Sequence, residues 1–285
     1  MIKIINYFLQ SLLIYIFFLF GFITRLNIGR KIFGNLFSIF GPFFKSEKII
    51  NNNLDIFLKN FPEFNKNEII KKMWKNYGMT FIEYVYLNKF KSHNLHMVIK
   101  GKDTLASIIK EKKPVIFVSG HFANFELMSM EITKNDIPLA TIYRPLNNIF
   151  LNPFMEYLRK KYICKNQIKK GINGVRESID FIKKNHSIAL MIDQRVSEGE
   201  RINFFNKPAL TTTLPAQLSI KYNLNIVPVY IKRNEKNDFV IEFLKAINPG
   251  KFKNKLDLSL KLNKILEEMI VRNPYQWIWT HNRWK

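Results

Sequence analysis

At 285 residues, 47% of them hydrophobic and 26 of them Phe, the chain is long and apolar enough to bury a full core, which excludes a disordered protein. A formal net charge of +23 is in part compositional, but it favours anionic partners: nucleic acid, acidic lipid headgroups or an acidic carrier protein. Cys164 is the single cysteine and there are five histidines, so no internal disulfide or cysteine-based zinc site is available and a structural metal is not expected.

Residues 4–24 carry no charge, and only Asn6, Gln10 and Ser11 interrupt the run with stronger polarity. That is close to the ~20 residues a helix needs to cross a bilayer core. A cleaved signal peptide and a buried core helix remain open beside a membrane anchor. The long apolar stretch, with no small-x-small site after it, favours the anchor. Arg25, Arg30 and Lys31 follow it and Lys3 precedes it, which puts the main body on the cytoplasmic side. Phe33, Leu36, Phe37 and Phe40 then recur at helical spacing up to Gly41-Pro42, as an amphipathic helix that lies on the bilayer surface or on the core. Residues 1–45 are therefore expected to form the membrane anchor and amphipathic helix, and 46–285 the main folded domain. A basic body held at an anionic leaflet also weakens the case for nucleic acid as partner.

Residues 68–86 carry Ile69, Met73, Trp74, Tyr77, Phe81 and Tyr84 at helical spacing, an amphipathic helix whose aromatics pack on a core. From residue 95 short apolar runs alternate with helical periods. Strands are expected at 115–118, 139–143, 187–192, 226–231 and 239–243, with helices at 125–133, 149–162, 174–185, 214–222 and about 255–271. The fold class is α/β: a central, mostly parallel sheet flanked by helices, with an N-terminal membrane-anchor helix. Pro228 lacks an N–H for a ladder and is expected to demote its strand to an edge or a bulge.

In such sheets reactive residues collect at the carboxyl ends of strands. Ser119-Gly120-His121 follows the run 115–118 and leads into a helix carrying Glu126. Histidine suits a general base near neutral pH, and a nearby carboxylate can orient it. Five residues apart on one helix the two would diverge, whereas a turn freed by Gly120 would let them converge. Backbone N–H groups of a helix starting near Asn124 would face a developing oxyanion. On spacing alone, a satisfied surface histidine is the competing reading. Asp193-Gln194 ends another strand, and residues 204–209 beyond it mix aromatic and basic side chains that suit a ligand with a greasy chain and an anionic group. Thr213 is expected to cap the next helix. Arg144 ends a third strand and Arg159 lies on a helix beside Lys160 and Lys161; phosphate binding and a solvated basic face both fit.

Gly120-His121-Phe122-Ala123-Asn124-Phe125-Glu126 resembles the histidine-x4-acid motif of the lysophospholipid acyltransferase superfamily, in the form found in bacterial lipid A biosynthesis (lauroyl/myristoyl) acyltransferases. Tyr143-Arg144-Pro145-Leu146-Asn147-Asn148, Asp193-Gln194, the run 204–209 with Thr211, and the close Gln276-Trp277-Ile278-Trp279-Thr280-His281-Asn282-Arg283-Trp284-Lys285 are similar to that family in the same order. Asn282 departs from its second C-terminal arginine, and Phe125 stands where tryptophan is common. The resemblance implies transfer of a fatty acyl group from acyl carrier protein to a hydroxyl of a lipid A precursor at the cytoplasmic side of the inner membrane, without a cofactor. It implies His121 and Glu126 as the catalytic pair and Arg159 and Asp193 as further active-site residues. Asn124, Arg144, Gln194, Lys207 and Thr211 are the expected substrate-binding residues. Two alternatives remain: another glycolipid, phospholipid or aminolipid as acceptor, and a basic membrane-binding protein without catalysis.

Overall fold

The computed structural model describes residues 2–93 and 96–285. Helix α1 (Ile2–Ile23) has 22 residues, and among the described residues it is the one helix long and apolar enough to cross a membrane. One of its faces docks on the body. Ser11 Oγ donates to Asn148 Oδ1 at 2.9 Å, Tyr15 Oη donates to the Phe150 carbonyl at 2.8 Å, and Phe18 packs on Phe81 and Phe154. The other faces, including Leu9, Leu19 and Phe22, are exposed.

Helix α2 (Leu26–Phe40) meets both alternatives, since its apolar stripe divides between core and surface. Phe33 and Phe37 turn inward, with ring centroids 5.7 and 5.4 Å from Phe81, while Ile39 and Phe40 are exposed. The partner is α4 (Lys66–Glu83), which follows α3 (Glu47–Leu58) and is capped by the Asn65 side chain accepting from the Glu68 N–H. Close approach of α2 and α4 depends on Gly78, where a Cβ would lie 2.0 Å from the Phe33 carbonyl oxygen. Between the same helices Arg30 and Glu83 form an ion pair at 2.6 Å, both side chains almost wholly buried.

After α5 (Leu87–Ser92) comes the layered part: β1 (Met97–Lys100), α6 (Lys102–Glu111), β2 (Ile116–Ser119), α7 (Glu126–Lys134), β3 (Leu139–Tyr143), α8 (Asn152–Leu158), β4 (Asn166–Lys169), α9 (Ile172–Lys183) and β5 (Ser187–Met191). A hairpin of β6 (Glu200–Phe204) and β7 (Lys207–Thr211) precedes α10 (Leu214–Tyr222), β8 (Ile226–Arg233), β9 (Phe239–Phe243) and α11 (Lys255–Arg272). The expected change of pattern at residue 95 lies outside the described residues.

Seven strands form the sheet in the order β1-β9-β8-β2-β5-β3-β4, and every neighbouring pair is parallel except β8 with β9. The mostly parallel, helix-flanked sheet agrees with the sequence. Pro228 does not: its strand β8 is interior, flanked by β9 and β2. Proline is tolerated because β8 pairs with β2 only as far as Pro228 and with β9 only from Val229, so it stands where the ladder changes partner. The expected helix 149–162 is α8 followed by a π-helical turn, Arg159–Ile163. Thr213 occupies the N-cap position of α10, but its hydroxyl accepts from Gln217 Nε2 instead of capping a backbone N–H.

Candidate active site

The register of β2 with β5 builds the centre of the site. Ser119 pairs with Met191, and the Ile192 N–H donates to the Ser119 carbonyl at 2.9 Å. Two residues further along each strand stand His121 and Asp193, side by side at the carboxyl edge. His121 Nδ1 lies 2.7 Å from Asp193 Oδ1, while Asp193 Oδ2 accepts the His121 backbone N–H at 2.7 Å and Trp277 Nε1–H at 2.9 Å. Burial pushes the Asp193 carboxyl up, but the charge of His121 and these three hydrogen bonds outweigh it and hold the group below its ordinary range. An ionised carboxylate only accepts, so the proton between the two groups belongs to Nδ1, and Nε2 keeps its lone pair.

The carboxylate bonded to His121 is thus that of Asp193 and not that of Glu126. Glu126 opens α7, buried, and its Oε1 accepts from Tyr84 Oη at 2.6 Å, Arg159 Nε at 2.7 Å and Arg159 Nη2 at 2.6 Å. Burial lowers the Arg159 pKa, yet the charge of Glu126 and the contacts with Glu126 and Tyr84 raise it overall. Nη1 of Arg159 is buried without a partner. The π-helical turn, a feature common at functional sites, starts at this residue.

The chain from His121 to Glu126 turns through Ala123, whose φ is +43°, so the left-handed residue of the turn is alanine and not Gly120. Gly120 is needed for close approach: a Cβ there would lie 2.8 Å from the Phe122 ring, 2.9 Å from Leu266 and 3.3 Å from Asp193 Oδ2. Ala123 is held on both sides, its N–H donating to the Gln276 carbonyl at 2.9 Å and its carbonyl accepting from Thr80 Oγ1 at 3.0 Å. Helix α7 begins at Glu126, two residues after Asn124, whose side chain points into the interior as a support. It is fully buried and donates through Nδ2 to Glu83 Oε2 at 3.0 Å. Burial would raise the Glu83 carboxyl, but Arg233 and Arg30 hold it below its ordinary range.

A cavity of about 540 Å³ opens over this edge, lined among others by His121, Glu126, Arg159, Gln194 and His281. Ile142, Ile163, Leu190 and Ile278 supply apolar wall, and Lys45, Arg144 and Lys170 stand at exposed positions around it. Of the expected substrate-binding residues, Arg144 and Gln194 line the cavity. Asn124, Lys207 and Thr211 do not: Lys207 is exposed on the β6–β7 hairpin, and Thr211 is buried, its hydroxyl accepting from Arg283 Nη2 at 2.8 Å. The run 204–209 is that hairpin, with Phe205 and Asn206 at φ +50° and +58° in its turn, and its two phenylalanines are buried. It misled because aromatic-plus-basic composition is shared by ligand sites and by a hairpin packed on an aromatic core. Tyr84, read as a core aromatic, Trp277 and Glu83 are not expected at the site from the sequence: nothing in their local sequence sets them apart from other packed side chains. Among the described residues no group of three or more His, Cys, Asp or Glu is placed to hold a metal ion.

The structure is similar to the crystal structure of the 1-acyl-sn-glycerophosphate acyltransferase of Thermotoga maritima, at 13% identity and a TM-score of 0.42, covering 87% of this chain and 99% of that one. In sequence it is similar to the lipid A biosynthesis palmitoleoyltransferase of Escherichia coli, 23% identical over 251 residues (86% of this chain, 80% of that protein). The lipid A biosynthesis acyltransferase of Haemophilus influenzae is 21% identical over 265 residues (91% and 83%), and the Escherichia coli lauroyltransferase 21% over 249 residues (84% and 78%). The model of the bacterial lipid A biosynthesis acyltransferase family matches residues 2–285, and the chain belongs to that family.

Proposed function

We propose that this acyltransferase moves a fatty acyl chain from the thioester of acyl carrier protein to a hydroxyl of a lipid A precursor. The observation that carries the proposal is the His121–Asp193 pair, bonded at 2.7 Å, at the mouth of a cavity with an apolar wall and a cationic rim. His121 Nε2 takes the proton of the acceptor hydroxyl as its oxygen attacks the thioester carbonyl. The tetrahedral oxyanion is stabilised by the charge of the Arg159 guanidinium, which lines the cavity and is held in place by Glu126, itself bonded to Tyr84. Collapse breaks the carbon–sulfur bond, and the thiolate takes the proton back from the imidazolium. No covalent enzyme intermediate is required, and Cys164 is buried with its Sγ donating to the Leu139 carbonyl.

Lys45, Arg144 and Lys170 suit the phosphates of the acceptor and the acidic surface of a carrier protein. Residues 1–45 act as the membrane-facing portion and 46–285 as the catalytic domain. The exposed apolar faces of α1, and Ile39, Phe40 and Phe43 beyond it, enter the inner membrane from its cytoplasmic side. His121→Ala, assayed in lipid vesicles with an acyl-carrier-protein thioester and a lipid A precursor, should lose transfer yet still bind the vesicles. Near-normal transfer by that variant would sink the assignment. Transfer to a glycerophospholipid in preference to the lipid A precursor would refute the acceptor.

A further inference from the structure

The C-terminal segment turns back over the sheet edge and brings a second histidine to the cavity wall. Asn53 on α3 pins it, with Nδ2 donating to the Trp279 carbonyl at 2.8 Å and to the His281 carbonyl at 2.7 Å. Thr280 Oγ1 lies 3.0 Å from Tyr77 Oη, and Trp279 Nε1 donates to the Pro274 carbonyl at 2.7 Å. His281, presented by this segment, lines the same cavity as His121.

The two imidazoles are held in different ways. His121 Nδ1 faces a carboxylate, whereas His281 Nε2 accepts the backbone N–H of Arg195 at 2.9 Å. A backbone N–H can only donate, so Nε2 of His281 must keep its lone pair. The imidazolium, which carries a proton on both nitrogens, is incompatible with that contact. The neutral ring therefore has its proton on Nδ1. Nδ1 makes no hydrogen bond within the described protein and is not among its buried unpaired atoms, so on a residue that lines the cavity it is left as a free N–H donor.

The surroundings favour the same state. Burial pulls the His281 pKa down to about 4; the Asp193 charge opposes this, and the charges of His121, Arg283 and Lys170 add to it. The other titratable group pinned near it, Tyr77, is pushed further up by burial and stays a neutral hydroxyl.

We propose that His281 is a catalytic residue of the opposite kind to His121: a permanently neutral donor whose Nδ1–H bonds the thioester carbonyl oxygen as it becomes the oxyanion, alongside Arg159. This rests on the acyl-transfer reading above. His121 moves a proton and His281 never does.

The tautomer can be read without turnover, by ¹⁵N-histidine NMR of the full chain in lipid nanodiscs, with His281→Ala assigning the signal. A ring protonated on Nδ1 and unchanged from pH 8 to pH 5 is expected; protonation on Nε2, or titration above pH 5, overturns the proposal. In the transfer assay His281→Ala should lower kcat about 10²-fold, the size of one oxyanion donor, with KM for the acceptor little changed. His281→Asn places an amide N–H where Nδ1 stands and should restore kcat to within about tenfold of the parent. His281→Gln keeps an acceptor for the Arg195 N–H but not the donor, and should stay as slow as His281→Ala. If Gln restores activity and Asn does not, His281 serves structure alone and the proposal fails; it fails equally if all variants match the parent. Absence of transfer by the parent protein itself would overturn the acyl-transfer reading, with the tautomer measurement still deciding the state of His281.

Discussion

Asp193→Asn separates the two carboxylates that could orient His121. Oδ2 of Asp193 faces two fixed donors, the His121 backbone N–H and Trp277 Nε1–H, at 2.7 and 2.9 Å. An amide at 193 will therefore keep its carbonyl oxygen at that place and turn its NH₂ toward His121 Nδ1. Turning it the other way would leave two buried donors facing NH₂, at about 1–3 kcal/mol each, so the productive orientation falls to a few per cent or less. An NH₂ against Nδ1 forces the imidazole proton onto Nε2, where the base should be. In the productive minority the charge-assisted bond to the imidazolium is also gone, a further loss of about 1.5–3 kcal/mol. Together these lower kcat by about 10³-fold or more, the behaviour of a catalytic histidine locked in the wrong tautomer.

Glu126→Gln is the control. Its Oε1 is met by three donors, Tyr84 Oη and Arg159 Nε and Nη2, which hold the amide's carbonyl oxygen in the same place. Only the charge opposite Arg159 is lost, for a fall of about 10–10²-fold. Single-turnover transfer from an acyl-carrier-protein thioester measures both variants, and ¹⁵N NMR of His121 reads the tautomer directly. If Asp193→Asn stays within tenfold of the parent, or if Glu126→Gln is the one that moves the His121 proton to Nε2, the assignment of Asp193 as orienter is refuted.

Three other outcomes follow from the same geometry. Because the Asp193 carboxyl is held below its ordinary value, its contribution to stability is present above the unfolded carboxyl's pKa of about 4 and is lost as the pH falls through the lower folded value. The difference in denaturant stability between parent and Asp193→Asn should thus shrink as the pH falls below about 4; growth over that range would contradict it. Ala123→Gly removes a methyl group from a residue at φ +43° and should raise stability by up to about 1 kcal/mol, net of the added freedom of the unfolded chain. A loss above that size in the same melt would show that the turn is not strained. Asn148 Oδ1 accepts from Ser11 Oγ and from the N–H groups of Phe150 and Leu151, and its Nδ2 donates to the Tyr7 carbonyl. Asn148→Ala should therefore loosen α1 by about 2–3 kcal/mol, read as faster proteolysis between residues 2 and 25, and an unchanged cleavage rate would count against docking of α1.

The strands legible in the sequence are the buried ones. Leu139–Tyr143 and Phe239–Phe243 agree to the residue, because strands in parallel or covered ladders read as continuous apolar runs. The strands that escaped notice lie elsewhere. Met97–Lys100 and Asn166–Lys169 are four-residue strands at the two ends of the sheet, partly polar and only partly buried. The hairpin turn at Phe205-Asn206 takes a positive φ at both residues without a glycine to announce it. His121 was legible as a residue at a strand end. Its partner was not, since that depends on which strand lies beside β2. Chain order puts β3 next in sequence, but β5 inserts between them, and only that insertion brings Asp193 to His121.

The five-residue spacing of His121 and Glu126 then takes on another meaning. The two side chains do not form one unit; they belong to two, joined by a turn of fixed shape. One unit is His121 on Asp193, and the other is Glu126 on Arg159 and Tyr84. The loop between them is held at Ala123 by Thr80 and Gln276, and at Asn124 by Glu83. Glu83 is in turn gripped by Arg30 from α2 and Arg233 from β8, so the buried ion cluster beneath the loop ties the N-terminal helices to the sheet. Removing one partner of such a cluster leaves a buried charge unpaired, which is costly, so the loop has little freedom to shift. An imidazole held by Asp193 and a guanidinium held by Glu126 are therefore set at a fixed separation on the wall of one cavity, the arrangement that the proposed attack and charge stabilisation would need.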